Sequence, residues 1–384
     1  MEKWKASLYR CLLTVSPSPA WLQKCGKMHR ADAAISEKQA EKIILALRRH
    51  RAVGAAVTLF NGQGILGTVT YGASQIKDGM PVPVTRDTAF RAASVSKHVT
   101  ALAVMRLAQA GQIDLDADVD AFLPCSLRHP KAPNLAVTLR RLLSHTAGIQ
   151  DGSAYAAACQ APVPLSELMK ADCFAPEPDC FVYSNLGAGI IACVLEGMLK
   201  TDFESILQKT LFEPLAVDAS FYPQKIQGEI ADAYHVLPAR QVVAPALDNA
   251  LRRTRPMPDT TPDSSLHYLL AQGNLYISAP NLAKIGCEAM LPRYDAMRRE
   301  IVPFGKRAYN LSEGLGTFIV RDAAVCPQIV YGHQGLAYGA MHGLFYDPES
   351  RRGFALLTSG ASEARDGVLS DLNKSIMKLV FNDA

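Results

Sequence analysis

Residues 89–105, AFRAASVSKHVTALAVM, set Ser94 and Lys97 three positions apart where an irregular stretch runs into a helix. At that spacing both side chains share one face of the first turn. A serine there sits among free backbone N–H groups at the positive end of the helix dipole, which favours negative charge as it develops. A lysine one turn behind it, once desolvated, has a depressed pKa and serves as a base or proton carrier for the hydroxyl. The spacing alone is not selective. It recurs at Ser375 and Lys378 inside the C-terminal amphipathic segment, where it reads as a solvated helix face.

Two further constellations follow in chain order. Tyr183-Ser184-Asn185 lies in CFVYSNLGAGI just ahead of a helical segment and is the only Y-x-N in the chain. A phenol beside a lysine ammonium is pulled toward phenolate, a general base, and an asparagine amide offers both a donor and an acceptor to an amide substrate. The plain structural reading is a core tyrosine and a helix-capping asparagine. His333-Gln334-Gly335, in IVYGHQGLAYG, ends one strand-like run and leads into another. The same pattern of Lys or His, any residue, Gly at Lys24, Lys77 and Lys284 lacks that setting. An edge strand at His333 presents backbone N–H and C=O groups to an extended ligand, and Gly335 permits close approach.

The elements around these motifs segregate along the chain. Ser36 caps a helix through ISEKQAEKIILALRRHR, with Ile43, Ile44 and Leu47 as its apolar stripe. The period then changes to two. AVGAAVTLF and ILGTVTYGA, joined by NGQG, read as a hairpin. QIVYGHQG, AMHGLFYD and GFALLTS give three more strands near the C-terminus, before an amphipathic helix over Gly367–Val380. Between the two ends, KHVTALAVMRLAQAG, LRRLLSH, NLGAGIIACVLEGMLK and APNLAKIGCEAML read as helices. This makes an α+β fold: an antiparallel sheet from both chain ends, flanked by helices, with a mainly helical lobe. The sheet lobe takes residues 35–110 and 300–384, the helical lobe 111–299, and residues 1–34 form an N-terminal extension. Leu237–Asp263, rich in Pro, Arg and Asp, reads as a long surface loop bordering the site.

Composition narrows the function. Of 384 residues 49% are hydrophobic and 20% charged, enough for a sizeable core and against extended disorder. The net charge of +4 is small and no basic tract interleaves with aromatics, so nucleic acid is a poor partner. Nine scattered cysteines, odd in number and without C-x-x-C, argue against a zinc site or disulfide framework and for a reducing, cytoplasmic setting. Export is the alternative. The basic start MEKWKASLYRCLLTVSPSPAWLQ suggests a signal, but its apolar core from Cys11 to Val15 is short and no small-residue cleavage site follows. No run approaches the roughly 18 apolar residues of a membrane span. G-x-G-x-x-G at Gly62–Gly67 falls inside the hairpin, so the strand-to-helix turn of a dinucleotide site is missing. G-x-S-x-G and H-E-x-x-H are absent, and neither a metal nor a cofactor is expected.

Taken together, FRAASVSKHVTALAVMRL, LLSHTAGI at Leu142–Ile149, VYSNLGAGII, GNLYISAPNLAKI and YGHQG resemble the serine β-lactamase and penicillin-binding superfamily. The likeness spans residues 35–384 and is strongest to the branch of class C β-lactamases, DD-peptidases, D-aminopeptidases and related esterases. It implies a β-lactamase/transpeptidase-like fold and a serine hydrolase working through an acyl-enzyme. It also implies Ser94 as the nucleophile, Lys97 as its motif lysine and Tyr183 as the second-motif base. Asn185 would contact the substrate amide, His333 and Gly335 would hold the third motif's place, and the N–H groups of Ser94 and Leu336 would form the oxyanion hole. His145, in LLSHTAGI, reads as structural.

The departure is His333, where class C β-lactamases carry a lysine. A histidine of ordinary pKa near 6.5 is only partly charged at neutral pH, so its grip on anionic substrates should weaken as pH rises while neutral esters are unaffected. The expected substrate is a small ester, amide or peptide-like molecule, and β-lactams should be turned over poorly. The rival readings are a class C-type β-lactamase and a non-catalytic penicillin-binding sensor on the same scaffold. Retention of Ser94, Lys97 and Tyr183 together favours chemistry.

Overall fold

A computed structural model describes residue 25 and residues 27–169, 172–237, 242–246, 249, 261–303, 310–365 and 367–382. β1 (His29–Ala31) leads to helix α1 (Glu37–Arg49), then to β2 (Gly54–Asn61), β3 (Gly64–Lys77) and the short β4 (Met80–Pro83). β5 (Ala89–Arg91) delivers the chain to α2 (Val95–Gln109). The helical region holds α3 (Leu139–Leu143), α4 (Ser153–Ala158), α5 (Leu165–Leu168), α6 (Asn185–Leu199) and α7 (Phe203–Leu207). β6 (Ala219–Ser220), β7 (Tyr234–Leu237), β8 (Val242–Pro245) and β9 (Tyr276–Ser278) precede α8 (Ala279–Ala289). β10 (Val302–Pro303), β11 (Leu311–Glu313), β12 (Phe318–Val320), β13 (Val330–Ala337), β14 (Ala340–Asp347), β15 (Arg352–Gly360) and α9 (Asp371–Phe381) complete it.

The main sheet runs β1-β3-β2-β15-β14-β13-β12-β11-β10, with β4 hydrogen-bonded to β3. Its register joins the chain ends through Phe354↔Leu59 and Leu356↔Val57. Alternation along β15 sorts the side chains into two cores, as the period of two demands. Phe354 and Leu356 pack with Ile43, Leu47, Leu372 and Ile376 of α1 and α9. Ala355 and Leu357 face Val99, Leu102, Leu282 and Ile285 of α2 and α8. Each large side chain buried this way stabilises the fold by about 1.5–3 kcal/mol. Helix α2 is buried on nearly every side, because it lies between the sheet and the helical region.

The α+β architecture therefore matches the sequence expectation, down to Ser36, whose side chain accepts the Gln39 N–H at 3.3 Å as the cap of α1. Several details differ. β1 pairs with β3 through His29↔Tyr71, so the sheet begins inside the stretch set apart as an extension; residues 1–24 and 26 lie outside the described residues. Helix α8, placed by sequence in the helical lobe, packs on the sheet. A Cβ on its Gly286 would lie 2.4 Å from the Phe60 ring. The stretch Leu237–Asp263 holds β8, which pairs with β7 as a hairpin, while 238–241, 247–248 and 250–260 lie outside the described residues. Ser375 is not on a solvated face: its hydroxyl meets His50 Nε2 at 2.8 Å and donates to the Asp371 carbonyl at 2.9 Å, although Lys378 is exposed. Among the described residues no helix is long and apolar enough to cross a membrane.

Candidate active site

Backbone pairing places the serine. β5 pairs with β9 through Arg91↔Tyr276, and the Ala92 N–H donates to the Leu275 carbonyl at 2.7 Å, which ends the extended run. Ala93 then turns the chain with a φ of +48°, a left-handed conformation that costs a residue with a Cβ about 1–2 kcal/mol. Ser94 follows as the N-cap of α2, half-exposed, and its side chain makes no capping bond.

Lys97 completes the first turn of that helix, with the rest of its side chain buried. Its Nζ lies 2.9 Å from Ser94 Oγ, 2.8 Å from Asn185 Oδ1 and 2.6 Å from the Gln272 carbonyl oxygen. The last two oxygens only accept, so two N–H bonds are committed to them and the third tetrahedral direction faces the serine. Burial lowers the Lys97 pKa from 10.5 to about 7, a drop the Asp151 and Glu313 carboxyls only partly oppose. Above that pH the direction facing Ser94 carries a lone pair.

Tyr183 joins from the segment ahead of α6, its ring centroid 5.2 Å from Lys97 Nζ and its hydroxyl hydrogen-bonded to Ser94. Burial holds the phenol above its ordinary value of 10, and the Ser94 bond offsets only part of this. The environment thus favours phenol, not the phenolate that the sequence suggested. His145 fixes the segment. Its Nδ1 accepts the Ser184 N–H at 3.2 Å, its carbonyl accepts the Val182 N–H at 3.0 Å, and its ring lies 4.4 Å from that of Tyr183. Burial and the Lys97 charge lower its pKa to about 3, so it is a neutral support at ordinary pH.

His333 is placed differently from expectation. β12 pairs only with Val330, Tyr331 and Gly332 of β13, so among the described strands His333 to Ala337 keep one open edge. The imidazole itself is buried, 4.0 Å from the Phe318 ring, with Nδ1 2.6 Å from the Gln334 carbonyl. Burial first, then the Lys97 charge, drive its pKa well below 6.5. The half-charged carboxylate anchor is thereby corrected: His333 is neutral throughout the physiological range. Gly335 is where the strand meets the nucleophile turn, since a Cβ there would lie 2.4 Å from the Ala92 carbonyl oxygen. Leu336 follows, half-buried, on the same strand.

Three contributors escaped the sequence reading. Asp151 accepts from Ser184 Oγ and the Leu186 N–H through Oδ1, both at 2.9 Å, and from Asn185 Nδ2 through Oδ2 at 2.7 Å. It therefore caps α6 and aims the Asn185 carbonyl at Lys97. Its partners lie 33 to 35 positions away, beyond any local spacing rule. The Gln272 carbonyl leaves no side-chain signal at all. Glu313 is fully buried near Lys97, neither oxygen makes a well-formed hydrogen bond among the described residues, and burial raises its carboxyl well above the usual range. Among the described residues no cluster of three or more His, Cys, Asp or Glu converges on a metal position.

Replacing Asp151 by Ala should cost about 1–3 kcal/mol through the freed donors and lower kcat/KM on an active substrate about tenfold. Thermal unfolding and steady-state kinetics read both effects. Unchanged kinetics with a lowered Tm would reduce Asp151 to a helix cap.

A wide antiparallel sheet between helical layers, with a serine and lysine opening the buried helix and a Tyr-x-Asn facing them, defines the β-lactamase/transpeptidase-like class. The chain belongs to the beta-lactamase family, whose model matches residues 31–375. That family is one of serine hydrolases. Esterase EstB of Burkholderia gladioli is 39% identical over 110 residues, 27% of this chain and 26% of the relative. Penicillin-binding protein 4 of Amycolatopsis lactamdurans is 32% identical over 182 residues, 46% of each chain. These alignments span about half of the relatives' length or less. Among solved structures, an octameric penicillin-binding protein homologue from Pyrococcus abyssi superposes with a TM-score of 0.67 at 19% identity, over 89% of this chain and 75% of that one. EstCE1, a hydrolase with promiscuous acyltransferase activity, gives 0.68 at 21%, over 90% and 98%. At such identity they speak for the fold.

Proposed function

We propose that this protein hydrolyses esters or small peptide-like amides through an acyl-enzyme on Ser94 and turns over β-lactams poorly. The observation that carries the reading is the lysine geometry: two carbonyl oxygens hold Lys97 Nζ so that its remaining direction meets Ser94 Oγ at 2.9 Å. As Oγ bonds to the substrate carbonyl carbon, its proton passes to the Lys97 lone pair. The bond to the leaving oxygen or nitrogen then breaks, and that proton returns to the leaving atom by way of the Tyr183 hydroxyl. Water attacks the acyl ester with the same groups taking its proton, which restores Ser94. The N–H groups of Ser94 and Leu336 receive the developing oxyanion. A neutral His333 adds no positive charge to grip a substrate carboxylate, which favours uncharged substrates. The eight described cysteines, all unpaired thiols, favour a reducing compartment.

A panel of acyl esters, D-aminoacyl amides and β-lactams, read by turnover, tests this reading. It fails if penicillins or cephalosporins turn over with kcat/KM in the usual range of about 10⁴–10⁸ M⁻¹s⁻¹ while esters and amides are ignored. It also carries a pH signature. Lys97 must be neutral to act, so kcat/KM should fall below pH of about 7 for neutral and anionic substrates alike. Because His333 does not titrate there, the ratio between the two substrate types should stay flat from about pH 6 to 8. An extra loss for the anionic substrate across that range would return the charged-histidine model.

A further inference from the structure

The turn that ends β13 puts a bulky side chain where the backbone favours a small one. β13 and β14 pair down to Ala337↔Ala340, leaving Tyr338 and Gly339 as a two-residue loop with φ of +53° and +84°. Two positive φ values mark the hairpin turn whose first position is ordinarily Asn, Asp or Gly. Space dictates Gly339, since a Cβ there would lie 2.2 Å from the Tyr234 carbonyl oxygen. No such demand calls for tyrosine at 338. The residue is 39% exposed, and the Arg91 guanidinium carbon lies 4.7 Å from its ring centroid. Arg91 is itself held by the Gly273 carbonyl and the Asn274 side chain, three residues ahead of Ser94. A strained, exposed aromatic braced by the nucleophile segment is the kind of feature that gathers at ligand clamps.

The direction of the substrate follows from the same strand. The Tyr183 ring lies 6.3 Å from that of His333, so the proton-transfer groups sit at the His333 end of the open edge. A carbonyl attacked by Ser94 and held at Leu336 has its leaving group toward that end and its acyl group toward Tyr338. Leu336 and Tyr338 are two residues apart, at most about 7 Å along the chain, within reach of a phenylacetyl group. Building on the acyl-enzyme reading above, we propose that Tyr338 is a specificity-determining residue whose exposed ring receives an aromatic ring in the acyl part of the substrate, selecting arylacyl over short aliphatic esters and amides.

The p-nitrophenyl esters of phenylacetate and acetate differ only in the acyl part, so their kcat/KM ratio isolates it. Tyr338→Asn suits the left-handed turn and removes the ring. It should lower the ratio about tenfold, mainly through KM for the phenylacetate, without lowering Tm. Tyr338→Phe should keep the ratio within about twofold, since the ring face remains. An unchanged ratio in Tyr338→Asn, or an equal fall for both esters, overturns the proposal and leaves the acyl-enzyme reading intact. Should the wild type hydrolyse neither ester, that reading fails instead, and Ser94 labelling rates with benzyl and methyl phosphonates give the same ratio and decide Tyr338.

Discussion

Ser94→Ala should abolish covalent labelling by a fluorophosphonate and cut turnover on the order of 10⁴–10⁶-fold, the scale seen when a serine nucleophile is removed from a coupled catalytic set. The structure sharpens this expectation, because of the serine-lysine pairs at Ser94 and Ser375 only the first is built for chemistry. Ser94 is half-exposed, makes no capping bond and faces a lysine whose other two contacts are fixed acceptors. Ser375 is tied to His50 and to the Asp371 carbonyl, and its Lys378 is exposed. Mass spectrometry of the labelled peptide decides the matter. Label that persists in Ser94→Ala, or that maps to Ser375, would remove the basis of the mechanism.

How far the sequence could be read follows from the range of each interaction. Helices α1, α2, α6 and α9 and strands β2, β3, β13, β14 and β15 carry their period in their own residues. Short strands do not. β5 and β9 have three residues each, too few to show a period, and β9 ends just where the helix read as APNLAKIGCEAML begins. Ser94 and Lys97 are legible because one helical turn joins them, whereas Asp151 and Asn185 meet across 34 positions. The gravest misreading concerned protonation. Sequence suggests a phenolate at Tyr183 and a half-charged His333, since it offers neighbours but no dielectric. In the folded protein burial outweighs those neighbours for both groups, and it brings the Lys97 pKa down to about 7.

That shift makes the pair of Lys97 and Tyr183 separable by experiment. On the proposed mechanism Lys97→Ala removes the group that takes the serine proton and should lower kcat by about 10²–10⁴-fold, the usual reach of general-base catalysis. Tyr183→Phe removes the hydroxyl that passes the proton to the leaving group and should fall in the same range of about 10²–10⁴. Both act on one proton path through Ser94, so the double variant should lose far less than the product of the single losses. The pH profiles tell the two roles apart. The acid limb at about 7 belongs to Lys97, whose neutral form is active, and should survive in Tyr183→Phe at a lower plateau but vanish in Lys97→Ala. A phenol required in its protonated form, and held above 10 by burial, should give the wild type no alkaline loss below its ordinary range. Steady-state kinetics on a neutral ester measure all four proteins. Losses that multiply in full, or an acid limb that moves with Tyr183 and ignores Lys97, would assign the base to the tyrosine after all.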